Sequence, residues 1–478
     1  MTNTPAVGAT PLGERALTDV LASMRAAQRA DPVPAWSTRA DRLHALEALM
    51  LDNREAIATA IDADFGRRPR EETEILEFFP SLSGVHHALR RGRRWMRVQR
   101  HWANFWFLPA RTEVRPQPLG VVGIIAPWNY PLYLAIGPLT DALAAGNRVM
   151  LKMSEYTPRF STLFAELVAR GFRDDEVVVV NGGADVGRAF AALPFDHLLF
   201  TGSTAVGRDV MASAAPNLTP VTLELGGKSP ALIGPGARFG HAVQRIVLGK
   251  LLNAGQTCIA PDYVLLPRAM VRPFVDAARE AATRFYPGLP LNEQYSSIIS
   301  ERHYARLRAL RDDAVAMGAK AYPLGTPVDD ANLRTISPVI LTDVDDRMQI
   351  MREEIFGPLL PLVAYDTLDE ALDHIAARPH PLALYAFEDD TATLDQILTR
   401  TQAGGVTVND TILHIAQHSL PFGGVGASGM GTYHGEAGFR TFSRMKPVMR
   451  QARLNAVSLL NPPYGAAFER LLKILLRR

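Results

Sequence analysis

Apolar positions follow two regimes along the chain. Over residues 15–100 they recur at helical spacing. Leu43, Leu46 and Met50 repeat three or four apart, and Ser37-Thr38-Arg39-Ala40-Asp41 ahead of them offers a capping-box start. A second helix is predicted over 53–65, stopped by Gly66. From about Val114 short apolar runs take over. Segments 121–126, 149–152, 177–180 and 198–201 read as buried strands, and 130–145 and 161–170 between them read as helices. Asn181-Gly182-Gly183 reads as a turn. Short strands alternating with helices predict a parallel α/β sheet. The alternation restarts at 231–233, after Gly226-Gly227, which predicts a second α/β domain. A helix is predicted over 301–317, with Leu307 and Leu310 inward and Gly318 as its stop.

Three segments depart from this pattern. Residues 105–118 are strand-like and end in prolines, and 442–449 offers a partner strand. Together they predict an edge used in subunit association, with Trp102, Phe105, Trp106 and Phe107 on that edge rather than in a pocket. Residues 422–438 are glycine-rich, which predicts tight backbone contacts rather than a linker. Residues 466–478 mix Phe468, Leu471, Leu472, Ile474, Leu475 and Leu476 with Arg470, Lys473, Arg477 and Arg478. Such a tail suits peripheral membrane contact, packing on the body or a lid over a substrate entrance. The expectation is packing or a lid.

Composition narrows the class. A chain of 478 residues exceeds one small core, and 21% charged residues with a net charge of +2 give no push toward nucleic acid. The basic run Arg90-Arg91-Gly92-Arg93-Arg94 therefore reads as a solvated helix face. No stretch reaches the roughly 18 uninterrupted apolar residues of a membrane span. Residues 1–14 lack the basic and apolar regions of a signal peptide and read as a short mobile tail. There is one cysteine, Cys258. It rules out an intrachain disulfide or a cysteine-based zinc site, and it points to a reducing, cytoplasmic setting.

That thiol, in Asn253-Ala254-Gly255-Gln256-Thr257-Cys258, is either a buried apolar filler or a nucleophile. His414 and His418 precede Pro421 without the further ligands a metal site needs, so no metal is expected and both read as pocket-wall or surface residues. Glu353 and Glu354 are adjacent carboxylates, but no glycosidase-like constellation accompanies them.

Six motifs in order resemble the aldehyde dehydrogenase superfamily. They are Pro127-Trp128-Asn129-Tyr130-Pro131, Phe200-Thr201-Gly202-Ser203-Thr204-Ala205-Val206-Gly207, Leu223-Glu224-Leu225-Gly226-Gly227-Lys228, the Asn253–Cys258 run, Glu353-Glu354-Ile355-Phe356-Gly357-Pro358 and Pro421-Phe422-Gly423-Gly424-Val425-Gly426. Val406-Thr407-Val408-Asn409-Asp410, Ser428-Gly429-Met430-Gly431 and Tyr433-His434-Gly435 resemble its class 3 branch. The resemblance covers about residues 15–450.

The resemblance implies an α/β fold with a Rossmann-type NAD(P)-binding domain (1–104 and 119–225) and a catalytic domain (226–425). It also implies bridging strands for oligomerisation (105–118 and 439–450), leaving 451–478 as an amphipathic tail. It implies a homodimer that oxidises an aldehyde to a carboxylic acid. Cys258 would be the nucleophile, Asn129 and the Cys258 N–H the oxyanion donors (typically about 3 kcal/mol each), and Glu224 the base that activates water. Gly202, Ser203 and Gly207 would lie under the pyrophosphate at a helix N-terminus. Lys152 and Glu155 would hold the adenosine ribose, with Glu155 favouring NAD over NADP. Met153 stands where many members carry proline. Glu354 and Phe356 would hold the nicotinamide ribose and ring, and Asn253 would brace the Cys258 loop. Tyr130 and the residues before Pro421 are expected to line the substrate tunnel. Aromatic aldehydes, coniferaldehyde included, or medium- to long-chain aliphatic ones are the implied substrates.

Three rival readings remain. A CoA-acylating dehydrogenase would typically lack the glutamate at 224. A thiol hydrolase would need a histidine beside Cys258. A silent binding protein would have no use for Cys258, Asn129 and Glu224 together.

Overall fold

The computed structural model describes residues 14–455 and 460–476; the leading tail and part of the C-terminal segment lie outside them. Helices Glu14–Ala30, Trp36–Asp52, Arg54–Phe65 and Phe79–Trp95 make up most of the N-terminal region. Leu43, Leu46 and Met50 are fully buried, as their spacing requires. The expected capping box is absent. The helix starts at Trp36, with Ala35 in the cap position and no side-chain cap bond. Tertiary bonds fix this end instead: Arg39 donates to Pro34 O at 2.9 Å and to Ala144 O at 3.1 Å. Gly66 closes the next helix at φ +84°, a left-handed geometry suited to glycine. The arginines of the basic run are exposed and Gly92 between them is buried, which makes the run a solvated face.

Behind the helices lie two sheets. The first orders its six strands as Gly429–Met430, Val221–Glu224, His197–Thr201, Val121–Ile125, Arg148–Lys152 and Val177–Val180. All neighbours run parallel except the Gly429–Met430 pairing. The second orders seven strands as Lys320–Pro323, Val339–Thr342, Leu359–Tyr365, Tyr263–Pro267, Pro230–Ile233, Ala383–Phe387 and Gly405–Val408. Only its Lys320–Pro323 edge is antiparallel. Arg148–Lys152 and His197–Thr201 are buried along their whole length, as expected where a parallel sheet is covered on both faces.

Two predicted helix boundaries move. The helix after Val121–Ile125 begins at Tyr133 rather than at 130. Residues 126–132 are a turn, and a distant carboxylate caps the helix: Glu77 accepts the N–H of Leu132 at 2.7 Å and of Tyr133 at 3.2 Å. The predicted bridging segment 439–450 starts inside a helix, Gly435–Thr441, and its strand is Ser443–Arg450. That strand pairs antiparallel with Arg111–Pro118, from Ser443 opposite Pro118 to Arg450 opposite Arg111. Phe105–Phe107 is a 3₁₀ turn rather than strand, because Asn104 caps it through the Trp106 N–H. With Gln99–His101 these strands form a small third sheet.

The glycine-rich stretch is as tight as its composition implies. A Cβ on Gly424 would lie 2.0 Å from Ser428 O. The tail forms a helix, Ala466–Leu475, with no buried residue. Packing on the body, one of the two expected roles, is therefore not seen.

Asp141 sits in the helix Tyr133–Ala145 and is 3% exposed. Burial pushes its carboxyl up to about 8, although it accepts the N–H groups of His434 and Gly435. A carboxyl raised on folding contributes stability that is full below its unfolded value and is lost as pH rises through the folded one. Asp141→Asn keeps the acceptor and removes the titration. Its melting temperature should gain on the wild type from pH 5 to pH 9, as followed by thermal scans. A constant difference across that range would contradict the assignment.

Candidate active site

The loops that carry the predicted residues leave one edge of the first sheet. Ile125 is in register with Lys152 and Phe200, and Thr201 with Glu224. The strand order also reverses beside Val121–Ile125, the kind of crevice where α/β sheets bind ligands. The cysteine arrives from the second sheet, on the segment between helix Phe239–Leu251 and strand Tyr263–Pro267.

The cysteine loop is strained and heavily braced. Asn253 and Ala254 both take φ +51°, rare for residues with a Cβ, and Gly255 follows at +75°. A Cβ at Gly255 would lie 2.4 Å from Gly357 O. Asn253 Nδ2 donates to Gln256 O at 3.2 Å and to Asn129 O at 3.1 Å. Gln256 Nε2 donates to Asn253 O and Ser297 O at 3.0 Å each. Cys258 emerges half-buried. Burial, then the charges of Glu354 and Glu224, push its thiol up, while the N–H groups of Cys258 and Ile259 oppose that shift.

Asn129 faces this loop. It is 3% exposed, and Nδ2 donates to Gln256 O at 3.2 Å. A side-chain amide has two N–H donors, so one remains for a ligand oxygen. Next to it, the Tyr130 hydroxyl meets Thr257 Oγ1 at 2.5 Å. The expected oxyanion turn and the cysteine loop are thus bonded to each other directly.

Glu224 ends its strand at 2% exposure, and among the described residues neither carboxylate oxygen has a hydrogen-bond partner. Burial alone raises it well above the usual carboxylate range. A buried carboxylate left unpartnered is costly to fold.

Glu354 lies against Gly226-Gly227. A Cβ on Gly226 would sit 1.9 Å from its Oε2. Burial, then Asp262, push Glu354 up to about 8, and its Oε1 is unpartnered. Lys228 and Asp262 pin the segment beneath it: Lys228 Nζ donates to Ile350 O at 2.7 Å and Glu353 O at 3.0 Å, and Asp262 accepts the Ile355 N–H at 2.9 Å. Glu353 points outward toward Arg306, so the two adjacent glutamates do not form a pair. Phe356 takes φ +51° and sets its ring edge-on to Trp128 at 5.4 Å.

Thr204, Gly226, Lys228 and Glu354 line one cleft of about 470 Å³. Helix Thr204–Ala214 begins there, with Ser203 as its N-cap accepting the Val206 N–H at 3.4 Å. The Ser203 hydroxyl proton stays available to an anion. Gly207 packs where a Cβ would meet Leu225 at 2.6 Å, and Gly202 where one would meet the Phe200 ring at 2.4 Å. Lys152 and Glu155 lie off this cleft. Lys152 is buried, with Nζ on Met153 O at 2.6 Å and Gly182 O at 2.7 Å, and Glu155 is exposed nearby. A helix N-terminus, an unpartnered carboxylate oxygen and a cleft of this size fit a dinucleotide.

Neither histidine is exposed: His414 is half-buried and His418 buried. His414 stacks on Phe422 at 5.7 Å, and buried His418 meets Pro80 O at 3.0 Å. Sequence reading passed over Arg68, Glu72, Glu77 and Asp262, all of which brace the site. The available signal was the cluster of charges from Asp62 to Glu77 flanking Phe65 and Phe78, too many for one solvated face.

A helix N-terminus and a buried carboxylate, Glu354, at one cleft suit a dinucleotide-dependent enzyme. Residues 4–448 match the Aldehyde dehydrogenase family. The chain belongs to that family and is an NAD(P)-dependent, aldehyde-oxidising oxidoreductase. A Pseudomonas aeruginosa protein named probable coniferyl aldehyde dehydrogenase is 51% identical over 95% of this chain and 94% of its own. Aldehyde dehydrogenase family 3 member B1 of Rattus norvegicus is 38% identical over 96% of this chain and 97% of its own. The solved substrate-bound state of Staphylococcus aureus AldH superposes with a TM-score of 0.91 at 34% identity, over 96% of this chain and 99% of that one.

The upward shift of the lone thiol has a direct readout. Alkylation of Cys258 by iodoacetamide in the cofactor-free enzyme should still be accelerating above about pH 8.5, the ordinary cysteine value. A plateau reached below neutral pH would show a thiolate that these surroundings do not favour.

Proposed function

We propose that Cys258 attacks the aldehyde, Asn129 and the Cys258 N–H hold the resulting oxyanion, and Glu224 activates the water that releases the acid. The observation that carries this reading is Glu224: a buried carboxylate without a partner, whose charge acts on the only thiol in the chain.

Cys258 gives its proton to solvent water, and its sulfur bonds the carbonyl carbon, placing a negative charge on the former carbonyl oxygen. The free Asn129 N–H and the Cys258 N–H stabilise that oxygen. Bound nicotinamide cofactor supplies the acceptor for the hydride that leaves this carbon. A thioester on Cys258 remains. Glu224 takes a proton from water, the hydroxide adds to the thioester carbon, and the carbon–sulfur bond breaks to give acid and thiolate. The residues that would hold the cofactor are Ser203 with Gly202 and Gly207 at the phosphates, Glu354 and Phe356 at the nicotinamide end, and Lys152 and Glu155 at the adenosine ribose. Glu155, exposed beside the end of the Arg148–Lys152 strand, would favour NAD over NADP by repelling a 2′-phosphate.

The substrate reading is an aromatic aldehyde, coniferaldehyde included. It is supported by the name of the 51%-identical relative and by the aromatic walls Trp128, Tyr130 and Tyr133 around the site. The assembly reading is a homodimer joined through the small third sheet. Trp102 and Phe105 are 98% and 73% exposed there, an arrangement that favours a covering partner. A cytoplasmic setting is supported by the single unpaired cysteine, and no helix among the described residues is long and apolar enough to cross a membrane.

Cys258→Ala should abolish NADH formation with any aldehyde. Glu224→Gln should keep a single burst of NADH, about one per active site, and lose steady turnover by roughly 10²-fold or more. Full turnover in Glu224→Gln would remove it as the base. Wild-type turnover should also rise with pH, with a midpoint above the ordinary carboxylate range, because the raised Glu224 must be ionised to act as a base.

A panel of kcat/KM values separates the substrate and cofactor readings. Coniferaldehyde and benzaldehyde should exceed short aliphatic aldehydes, and NAD should exceed NADP. Equal values with both cofactors would discard the role given to Glu155.

A further inference from the structure

Arg68 lies between helices Arg54–Phe65 and Arg70–Thr73, outside every motif that carries the family resemblance, yet it reaches the centre of the site. Its side chain is fully buried and forms an ion pair at 2.9 Å with the equally buried Glu77. The same guanidinium nitrogen donates to Asn129 O at 2.9 Å, and the guanidinium lies 5.0 Å from the Tyr130 ring centre. Glu77 in turn accepts the N–H groups of Leu132 and Tyr133. Arginine and glutamate therefore grip both ends of the turn that presents Asn129.

A second carboxylate completes the brace. Glu72, buried beside Arg68, accepts the Asn253 N–H at 3.1 and 3.2 Å and the Ser296 hydroxyl at 2.7 Å. Asn253 then donates through its side chain to the Asn129 carbonyl that Arg68 also holds. One carbonyl thus joins two charged supports, one under the oxyanion turn and one under the cysteine loop. Arg68 offsets the two buried carboxylates, whose charge burial disfavours. What the cation adds is a fixed position for the peptide whose side chain faces the reacting oxygen.

We propose that Arg68, set between Glu72 and Glu77, is a positioning residue for the oxyanion donor Asn129. The inference rests on the mechanism proposed above. Arg68 touches neither aldehyde nor cofactor. One terminal nitrogen of its head meets both Glu77 and the Asn129 carbonyl, and the rigid, planar guanidinium packed by the Tyr130 ring fixes where that nitrogen sits.

The test uses the full-length enzyme with NAD. Arg68→Lys keeps the positive charge and loses the rigid planar head that fixes the donating nitrogen. Its kcat should fall about tenfold, with KM for NAD unchanged, and the isotope effect on kcat with a 1-deuterated aldehyde should rise as hydride departure slows. Asn129→Ala should lose about 10²-fold in kcat. In the Asn129→Ala background, Arg68→Lys should cost nothing more, since a brace has no effect once the braced group is gone. Glu77→Gln, nearly isosteric, serves as a second variant should Arg68→Lys fold poorly, and its kcat loss should vanish in the same background. Additive losses in either double variant, or a fall confined to KM for NAD, would reduce Arg68 to a structural ion pair and overturn the proposal. A fully active Asn129→Ala would overturn the reading of the site itself, and the inference with it.

Discussion

The Asn129 carbonyl accepts two buried donors, the Arg68 guanidinium and the Asn253 side-chain amide, and the rest of the site is arranged around that junction. The turn bearing Asn129 belongs to the first sheet, and the loop bearing Cys258 belongs to the second. The two sheets share one apolar core, but apolar packing alone does not fix the orientation of a turn against a loop. A shared acceptor removes that freedom. Asn129 Nδ2 on Gln256 O and the Tyr130 hydroxyl on Thr257 add cross-links in the same few residues. Orientation fixed in advance is worth far more to a reaction than the net stability of any one of these bonds.

Electrostatics at the junction oppose ionisation. Cys258, Glu224 and Glu354 are acidic groups in one poorly solvated place, and burial is the leading cause of the upward shift of each. They cannot all carry charge at neutral pH without large cost. Their protonation is therefore coupled, and ionising one discourages the others. A ligand that brings positive charge into the cleft relieves this. The resting site is thereby kept from alkylation and oxidation more effectively than an exposed thiolate would be.

Much of the fold was legible because its signals are local. Buried parallel strands are short apolar runs, and Val177–Val180 falls where that pattern puts it. Gly66 and Gly146 end their helices in left-handed geometry, a constraint written in residue type. Errors arose where distant groups replaced local ones. Ser37 is a good N-cap by type, but Arg39 reaching Pro34 and Ala144 sets that end. Residues 130–132 look helical because the group that caps the helix, Glu77, lies 55 residues before Leu132 in the chain. The site divides similarly. Cys258, Glu224 and Asn129 stand in recognisable motifs, whereas Arg68 and Glu72 act only through contacts that no spacing along the chain reveals.

The small third sheet poses the opposite problem, a segment with too little to bury. Gln99–His101, Arg111–Pro118 and Ser443–Arg450 pair along their backbones, yet most of their side chains are half-buried or exposed. Three short strands gain little from apolar burial, and an exposed edge invites indiscriminate pairing. Ser443–Arg450 is such an edge, and it carries Pro447 with the charges of Arg444, Lys446 and Arg450. Proline removes a ladder donor, and the like charges repel a second copy laid directly alongside in register. Any strand that adds here must avoid both, which favours one docking geometry over general association. The cluster Trp102, Phe105 and Trp106 at the same end supplies the apolar surface that such a geometry would cover.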